Sequence, residues 1–212
     1  VAISKWLKNK ALNSSIFKKK KIQVIYSGVD YKSFFPSIDL KNFKNYKINK
    51  NKKIIIFGAQ NINAKYKGLE FFIDAVKYLD KKKYFVIFFG SFHDKTMLSK
   101  INVPYICLNK IESTKKMRSI LSLGNVCVFS SMQEAFGKLA VESLLCGTPL
   151  VCFEKTGISE IISHKKNGYI SKYLSSKNIA KGIEWTTSKP KSFFKKKCLS
   201  ISKEKFNIKY CA

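Results

Sequence analysis

The sequence predicts an α/β protein built on a doubly wound parallel sheet. Two observations predict it. Several short runs are hydrophobic throughout, as strands covered on both faces must be, and the segments between them carry apolar residues at helical spacing, as crossovers between parallel strands require. The length is consistent with one core: a chain of 212 residues, 45% of them hydrophobic, buries roughly 70% of the surface its unfolded form exposes.

Taken in order, Ile54-Ile55-Ile56-Phe57 is the first strong strand and ends at Gly58. After a polar loop, Leu69, Phe72, Ile73, Val76 and Leu79 recur at three- and four-residue steps and predict a helix. Tyr84 to Phe89 is the next strand, ending at Gly90, and Val103 to Leu108 is a further run. Ser113 stands where an N-cap would open a helix through Leu121. Val126 to Phe129 is followed by a polar turn and an apolar helix ending at Cys146; Gly147 suits the left-handed C-terminal position and Pro149 bars continuation. Leu150 to Phe153, then a weaker strand at Tyr169-Ile170 after the Asn167-Gly168 turn, complete the series. In such a sheet ligands bind outside the carboxyl ends of the strands, so the informative residues follow Phe57, Phe89, Leu108 and Phe129.

The flanks read differently. Ala2 to Leu12 predicts a helix, Ile22 to Tyr26 a strand and Ser27 to Asp30 a turn; Phe34, Phe35 and Pro36 lead into a lysine- and asparagine-rich stretch, 41–53, expected to be an exposed connection. The expected organisation is an interdomain junction with a remnant of an acceptor-side domain over 1–50, a nucleotide-binding sheet domain over 51–190, and a truncated helical segment over 191–212. That last segment is basic, with apolar Phe194, Leu199, Ile201, Phe206 and Ile208. The chain opens on Val1, and residues 1–6 lack the basic-then-apolar layout of a secretion signal; a piece of a longer protein is expected.

Charge narrows the partners. There are 41 Lys+Arg against 13 Asp+Glu, a formal net charge of +28, which suits counterion release from phosphates. Yet Arg118 is the only arginine, and lysine lacks the planar fork that reads guanine. With no helix-turn-helix, zinc or aromatic RNA-binding motif, nucleic acid is not expected as a partner. The abundant Lys, Asn, Ile, Phe and Tyr share AT-rich codons, so most of the charge reads as a solvated lysine face. An anionic membrane surface is the alternative, because clustered lysine near lipid contributes about 1 kcal/mol per residue. No uncharged apolar run reaches the length of about 18 residues that a spanning helix needs, so such contact would be peripheral.

None of Cys107, Cys127, Cys146, Cys152, Cys198 and Cys211 forms a C-x-x-C pair. Cys107, Cys127 and Cys152 lie in apolar runs, where a thiol acts as a small hydrophobe. A reducing cytoplasm is the expected setting, with any membrane contact at the inner face. His93 and His164 lie in polar loops and read as surface residues.

The chemistry concentrates in the segment from Ser130 to Pro149. Glu134 falls in the turn and Glu142 eight positions on, which at about 100° per residue returns to within about 80° of the same direction. A helix starting near Gly137 would turn its free N–H groups and positive end to the crevice, a site for a diphosphate, and Gly137 allows close approach to the backbone. Glu142 could then accept from ribose hydroxyls and Glu134 from a sugar ring. Two such glutamates also fit a capping residue and a surface charge. Against that, Glu142 stands among Leu139, Ala140, Val141, Leu144 and Leu145, where an unpartnered carboxylate is costly.

The whole pattern resembles the group 1, family 4-type retaining glycosyltransferases, which use nucleotide sugars and have the two-domain GT-B fold. The resemblance runs through Ser4-Lys5-Trp6, Val24 to Asp30 with Phe35-Pro36, Phe57-Gly58, Lys67-Gly68-Leu69, Ser130-Ser131, the Glu134-to-Glu142 block, Cys146-Gly147-Thr148-Pro149 and Asn167-Gly168. It implies the Rossmann-like, donor-binding C-terminal half of such an enzyme. It implies that Glu134 contacts the donor sugar and Glu142 the ribose, and that Phe136, Gly137, Lys138 and Leu139 form the loop approaching diphosphate and sugar. Gly58 would also belong to the donor site, and Lys67 would neutralise the diphosphate and help the leaving group depart. Asn109, Lys110 and Ile111 would meet the base. Two departures stand out. The arginine that the family pairs with its lysine is missing, since Ala59 follows Gly58 and Tyr66 precedes Lys67, with Lys65 as a substitute point charge; and the glycine-rich loop and histidine of the acceptor domain have no counterpart.

The implied function is transfer of a sugar from a nucleotide diphosphate sugar to a glycan or lipid-linked acceptor. No cofactor and no obligatory metal is expected, since there is no Asp-x-Asp cluster. The alternatives are a fragment that binds nucleotide sugar without catalysis and, further off, a basic nucleic-acid-binding protein.

Overall fold

A computed structural model describes residues 1–39, 41, 46, 48, 49, 51–206 and 211. These form the strands β1 (Lys53–Asn61), β2 (Tyr84–Ser91), β3 (Tyr105–Leu108), β4 (Val126–Phe129), β5 (Leu150–Phe153) and β6 (Gly168–Ser171). The helices are α1 (Lys5–Leu12), α2 (Leu69–Val76), α3 (Thr114–Leu123), α4 (Lys138–Leu145), α5 (Ser176–Thr187) and α6 (Lys191–Phe206). All strand pairs are parallel and the order is β3-β2-β1-β4-β5-β6, the doubly wound arrangement that the apolar runs predict.

Period-two alternation divides the core between the faces. Ile54 and Ile56 join Ile120 and Leu121 of α3, Val141 and Leu144 of α4, and Phe194 and Cys198 of α6. Ile55 and Phe57 turn the other way, onto Phe72, Ile73 and Val76 of α2 and Ile179 and Ile183 of α5. There Phe72 stacks on Phe57 at 4.6 Å between ring centroids. The local stop and start signals hold. Ser113 Oγ accepts from the amide of Lys116 at the start of α3, and Gly147 takes φ 78° just past α4.

The N-terminal segment is bound to the sheet domain by a long-range cap. Glu160, after β5, accepts from the backbone amides of Lys5 (3.0 Å) and Trp6 (2.6 Å) at the opening of α1, and from the Tyr26 hydroxyl (3.1 Å). Its carboxylate thereby meets amides that α1 leaves unpaired and the positive end of the helix dipole. At the far end of α6, Phe206 is buried, its ring 5.4 Å from both Tyr26 and Phe136, and its carbonyl accepts from Val29 N at 2.9 Å.

The strand expected at Ile22 to Tyr26 is not formed. Only Val24 pairs, in a single parallel bridge to Ala2, because the partner chain leaves the ladder at Ser4, whose hydroxyl caps α1 through Leu7 N. Of the stretch 41–53, expected to be exposed, Tyr46 and Ile48 pack half-buried on the core; positions 42–45, 47 and 50 lie outside the described residues, as does Ile208. Arg118 serves structure: it donates from Nη1 to Ser33 O (3.2 Å) and lies 4.1 Å over the Phe35 ring.

Burial pushes the Cys127 and Cys146 thiols up to about 12 and moves Cys152 and Cys198 up as well. A group whose folded pKa is raised contributes stability below its unfolded value, near 9.0 here, and that contribution is lost as pH climbs toward the folded value. Lys191, lowered by burial to about 8, acts oppositely between pH 8 and its ordinary 10.5, as one group against four. The urea midpoint should therefore stay level to about pH 8.5 and fall by pH 10, and Cys152→Ala should flatten the fall; a midpoint that rises over that interval contradicts the thiol account.

Candidate functional site

β1 pairs with β4 only at Ile55 and Ile56, after which the two strands lead into crossovers on opposite faces, α2 on one and α4 on the other. A cavity of about 170 Å³ opens where they part. It is lined by Gly58 and Gln60 of β1, Lys67 from the following turn, Ser130, Ser131 and Glu134 from the loop after β4, and Gly137, Lys138 and Leu139 at the start of α4. This is the carboxyl-end crevice at the reversal of strand order, where doubly wound sheets bind ligands.

Lys67 is held there by its backbone. Met132 N donates to Tyr66 O at 2.8 Å, and the buried Ser130 hydroxyl donates to Gly68 O at 2.7 Å. Gly68 has φ 65°, and a Cβ on it would stand 2.0 Å from Ser130 O, so glycine alone permits this approach. Lys67 Nζ reaches Glu134 Oε2 at 2.5 Å, the two side chains 19% and 20% exposed. Largely withdrawn from water, each compensates the other's charge. The Glu134 carbonyl in turn accepts from Gly157 N at 2.7 Å, which fixes the loop before α4.

Gly137 opens α4 with φ 88°, which turns the chain so that the first-turn amides, lacking intrahelical acceptors, come to the cavity end of the helix. These amides and the helix dipole make a positive region beside Lys67.

Of the residues the sequence singles out, the structure brings Gly58, Lys67, Glu134, Gly137, Lys138 and Leu139 together. Phe136 lies beneath the site, 2% exposed and packed between Tyr26 and Phe206. Glu142 lies one turn into α4, outside the cavity lining. Burial raises its pKa, an effect that nearby Lys138 opposes, and among the described residues no hydrogen bond or ion pair reaches its carboxylate. Asn109, Lys110 and Ile111 follow β3 but do not line the cavity: Lys110 pairs with Glu112 at 3.1 Å in solvent, and Ile111 packs half-buried on the core. Lys65 is exposed and outside the lining, so it does not replace the missing arginine at the cavity. Gln60 is a lining residue that sequence reasoning missed, although the rule that ligand groups follow strand ends points to it. Both histidines are exposed. Among the described residues no group of three His, Cys, Asp or Glu could hold a metal ion.

Residues 39–205 match the family described as "Glycosyl transferases group 1". The capsular polysaccharide biosynthesis glycosyltransferase CapM of Staphylococcus aureus is 26% identical over 87% of this chain and 50% of its own length. The chain spans about half the length of the curated relatives it matches. Among solved structures, the C-terminal domain of LpcC, a group 1 glycosyl transferase of Francisella tularensis, has a TM-score of 0.70 at 24% identity, covering 85% of this chain and 100% of that one. HepE of Anabaena, solved with UDP and glucose, has a TM-score of 0.79 at 18% identity, over 99% of this chain and 59% of that one. The fold is that of the C-terminal half of GT-B glycosyltransferases, and since the family match covers most of its length, the chain belongs to the group 1 glycosyl transferases.

Proposed function

We propose that this chain is the donor-binding half of a glycosyltransferase that moves a sugar from a nucleotide diphosphate sugar to a hydroxyl of a glycan or lipid-linked acceptor, with retention at the anomeric carbon. The observation that carries the reading is the convergence of Lys67, Glu134 and the open end of α4 on one cavity at the strand reversal. A diphosphate fits this place electrostatically. Lys67 and the α4 amides supply positive charge where negative charge grows as the leaving phosphate departs, and in this reading that role needs no metal. HepE, solved with UDP and glucose, supports a nucleotide diphosphate as the ligand class.

In this mechanism Glu134 holds sugar hydroxyls and the Glu142 carboxylate accepts from the ribose hydroxyls, donors that would stabilise its charge on a largely apolar helix. The bond from the anomeric carbon to the phosphate oxygen breaks and a bond to the acceptor oxygen forms on the same face. The acceptor's proton passes to the departing phosphate. Lys67 must exchange Glu134 for the diphosphate as donor enters. Binding without transfer is the second reading, favoured by one observation: Lys65 faces away, so Lys67 is the one lysine from that turn at the diphosphate position.

Calorimetry with a panel of nucleotide diphosphate sugars tests the site. Lys67→Ala removes a charge-assisted contact and should weaken binding about 10- to 100-fold; wild-type affinity in that variant contradicts the placement of the diphosphate. Glu142→Ala should weaken nucleotide sugars and the free nucleoside diphosphate alike, by about tenfold, since both carry the ribose. Loss confined to the sugar-bearing ligand would move Glu142 to the sugar. Radiolabelled transfer by the full-length protein separates an enzyme from a binder.

A further inference from the structure

A second feature lies away from the cavity, at the end of α1. Residues 1–22 contain seven lysines and no acidic residue. After α1 the chain makes a tight turn: Ser14 Oγ donates to Ala11 O (2.6 Å) and accepts from Phe17 N (3.2 Å), and Lys20 N donates to Phe17 O (2.9 Å). The turn holds two consecutive large apolar side chains outward, Ile16 at 76% exposure and Phe17 at 47%. Lys18, Lys19, Lys20 and Lys21 follow at once, all exposed. Beside the turn lies a groove of about 500 Å³ whose apolar floor is Leu12, Ile22 and Val24 and whose rim carries Lys8, Lys20 and Lys21.

We propose that this tip docks the chain on an anionic phospholipid surface, with Ile16 and Phe17 entering the interface and the lysines of the run and groove rim meeting lipid phosphates. Apolar side chains in front of a lysine belt match the layering of a bilayer surface, where acyl chains lie beneath phosphates and lysine stems can extend back to the headgroups. Nucleic acid would satisfy the lysines but offers no apolar layer for Ile16, the more exposed of the pair.

One other lysine run provides a contrast. The run Lys81–Lys83 is also exposed, but it stands beside Asp80, which lies 3.7 Å from Lys83 Nζ, and the neighbouring Lys77 is paired with Asp74 at 2.7 Å. Its exposed neighbour is Tyr78, with a polar hydroxyl. Glu160, whose carboxylate contacts α1, is engaged at the helix's opposite end. Lysine runs recur over this chain; an acid-free run behind an exposed Ile-Phe pair is the feature of residues 16–21.

The test is co-sedimentation of the chain with phosphatidylcholine vesicles, with and without phosphatidylglycerol. Wild type should bind only the anionic vesicles. Lys18→Gln/Lys19→Gln/Lys20→Gln should weaken that binding about 100-fold, near fivefold per lysine, and Ile16→Ser/Phe17→Ser about tenfold or more. Lys81→Gln/Lys82→Gln/Lys83→Gln removes equal charge elsewhere and should change it only a few-fold. Equal loss in the two lysine triples, full binding by the Ile16/Phe17 variant, or wild-type binding to neutral vesicles would each overturn the proposal. So would an oligonucleotide bound more tightly than the anionic vesicles, with unchanged affinity in the Ile16/Phe17 variant. Urea unfolding of each variant checks that the tip, and not the fold, has been altered. Nucleotide-sugar calorimetry on the same variants should match wild type, so the donor-site reading stands or fails separately.

Discussion

The parting of β1 and β4 is the constraint on which the site depends. β1 continues along β2 as far as Asn61, but it meets β4 only at Ile55 and Ile56. Because the chain leaves β1 for one face and β4 for the other, no crossover covers the carboxyl ends between them. Every lining residue follows from that gap. Gly58 and Gln60 lie on the part of β1 beyond its pairing with β4, Lys67 on the turn that leaves it, and Glu134 and Gly137 on the loop that carries the chain from β4 into α4.

Within the gap, the Lys67–Glu134 pair explains how the site holds a charged lysine ready. A lone lysine that is four-fifths buried would be disfavoured by desolvation; opposite Glu134 at 2.5 Å its charge is matched. The backbone around it is fixed independently, by Ser130 on Gly68 and Met132 on Tyr66. Only the side chains therefore need to rearrange when a competing anion enters. The loop bearing Glu134 rests on Phe136, which in turn rests on Tyr26 and on Phe206 at the end of α6. The flanking segments around Tyr26 and Phe206 thus support the Glu134 loop directly.

What was legible in the sequence was what local chemistry determines. The strands, the Ser113 cap and the Gly147 stop are written in a few neighbouring residues, and the structure places them there. The resemblance picked out Lys67 and Glu134 separately, yet their pairing spans 67 positions and no local pattern announces it. Glu160 was not singled out because its partners lie 154 and 155 positions away. The overread strand at Ile22 to Tyr26 has a true β pattern but, beyond Ala2, no partner to extend it. Asn109 to Ile111 follow a strand end as expected, yet β3 is an edge strand of the sheet, separated from the gap by β2.

The proposed function puts a nucleotide diphosphate between Lys67 and the opening of α4. A crystal structure of the chain with a nucleoside diphosphate tests it most directly. The two phosphates should lie against the backbone amides of Gly137 to Leu139, with Lys67 Nζ turned from Glu134 to a phosphate oxygen. A diphosphate bound elsewhere, or bound there with the Lys67–Glu134 pair intact, would contradict it.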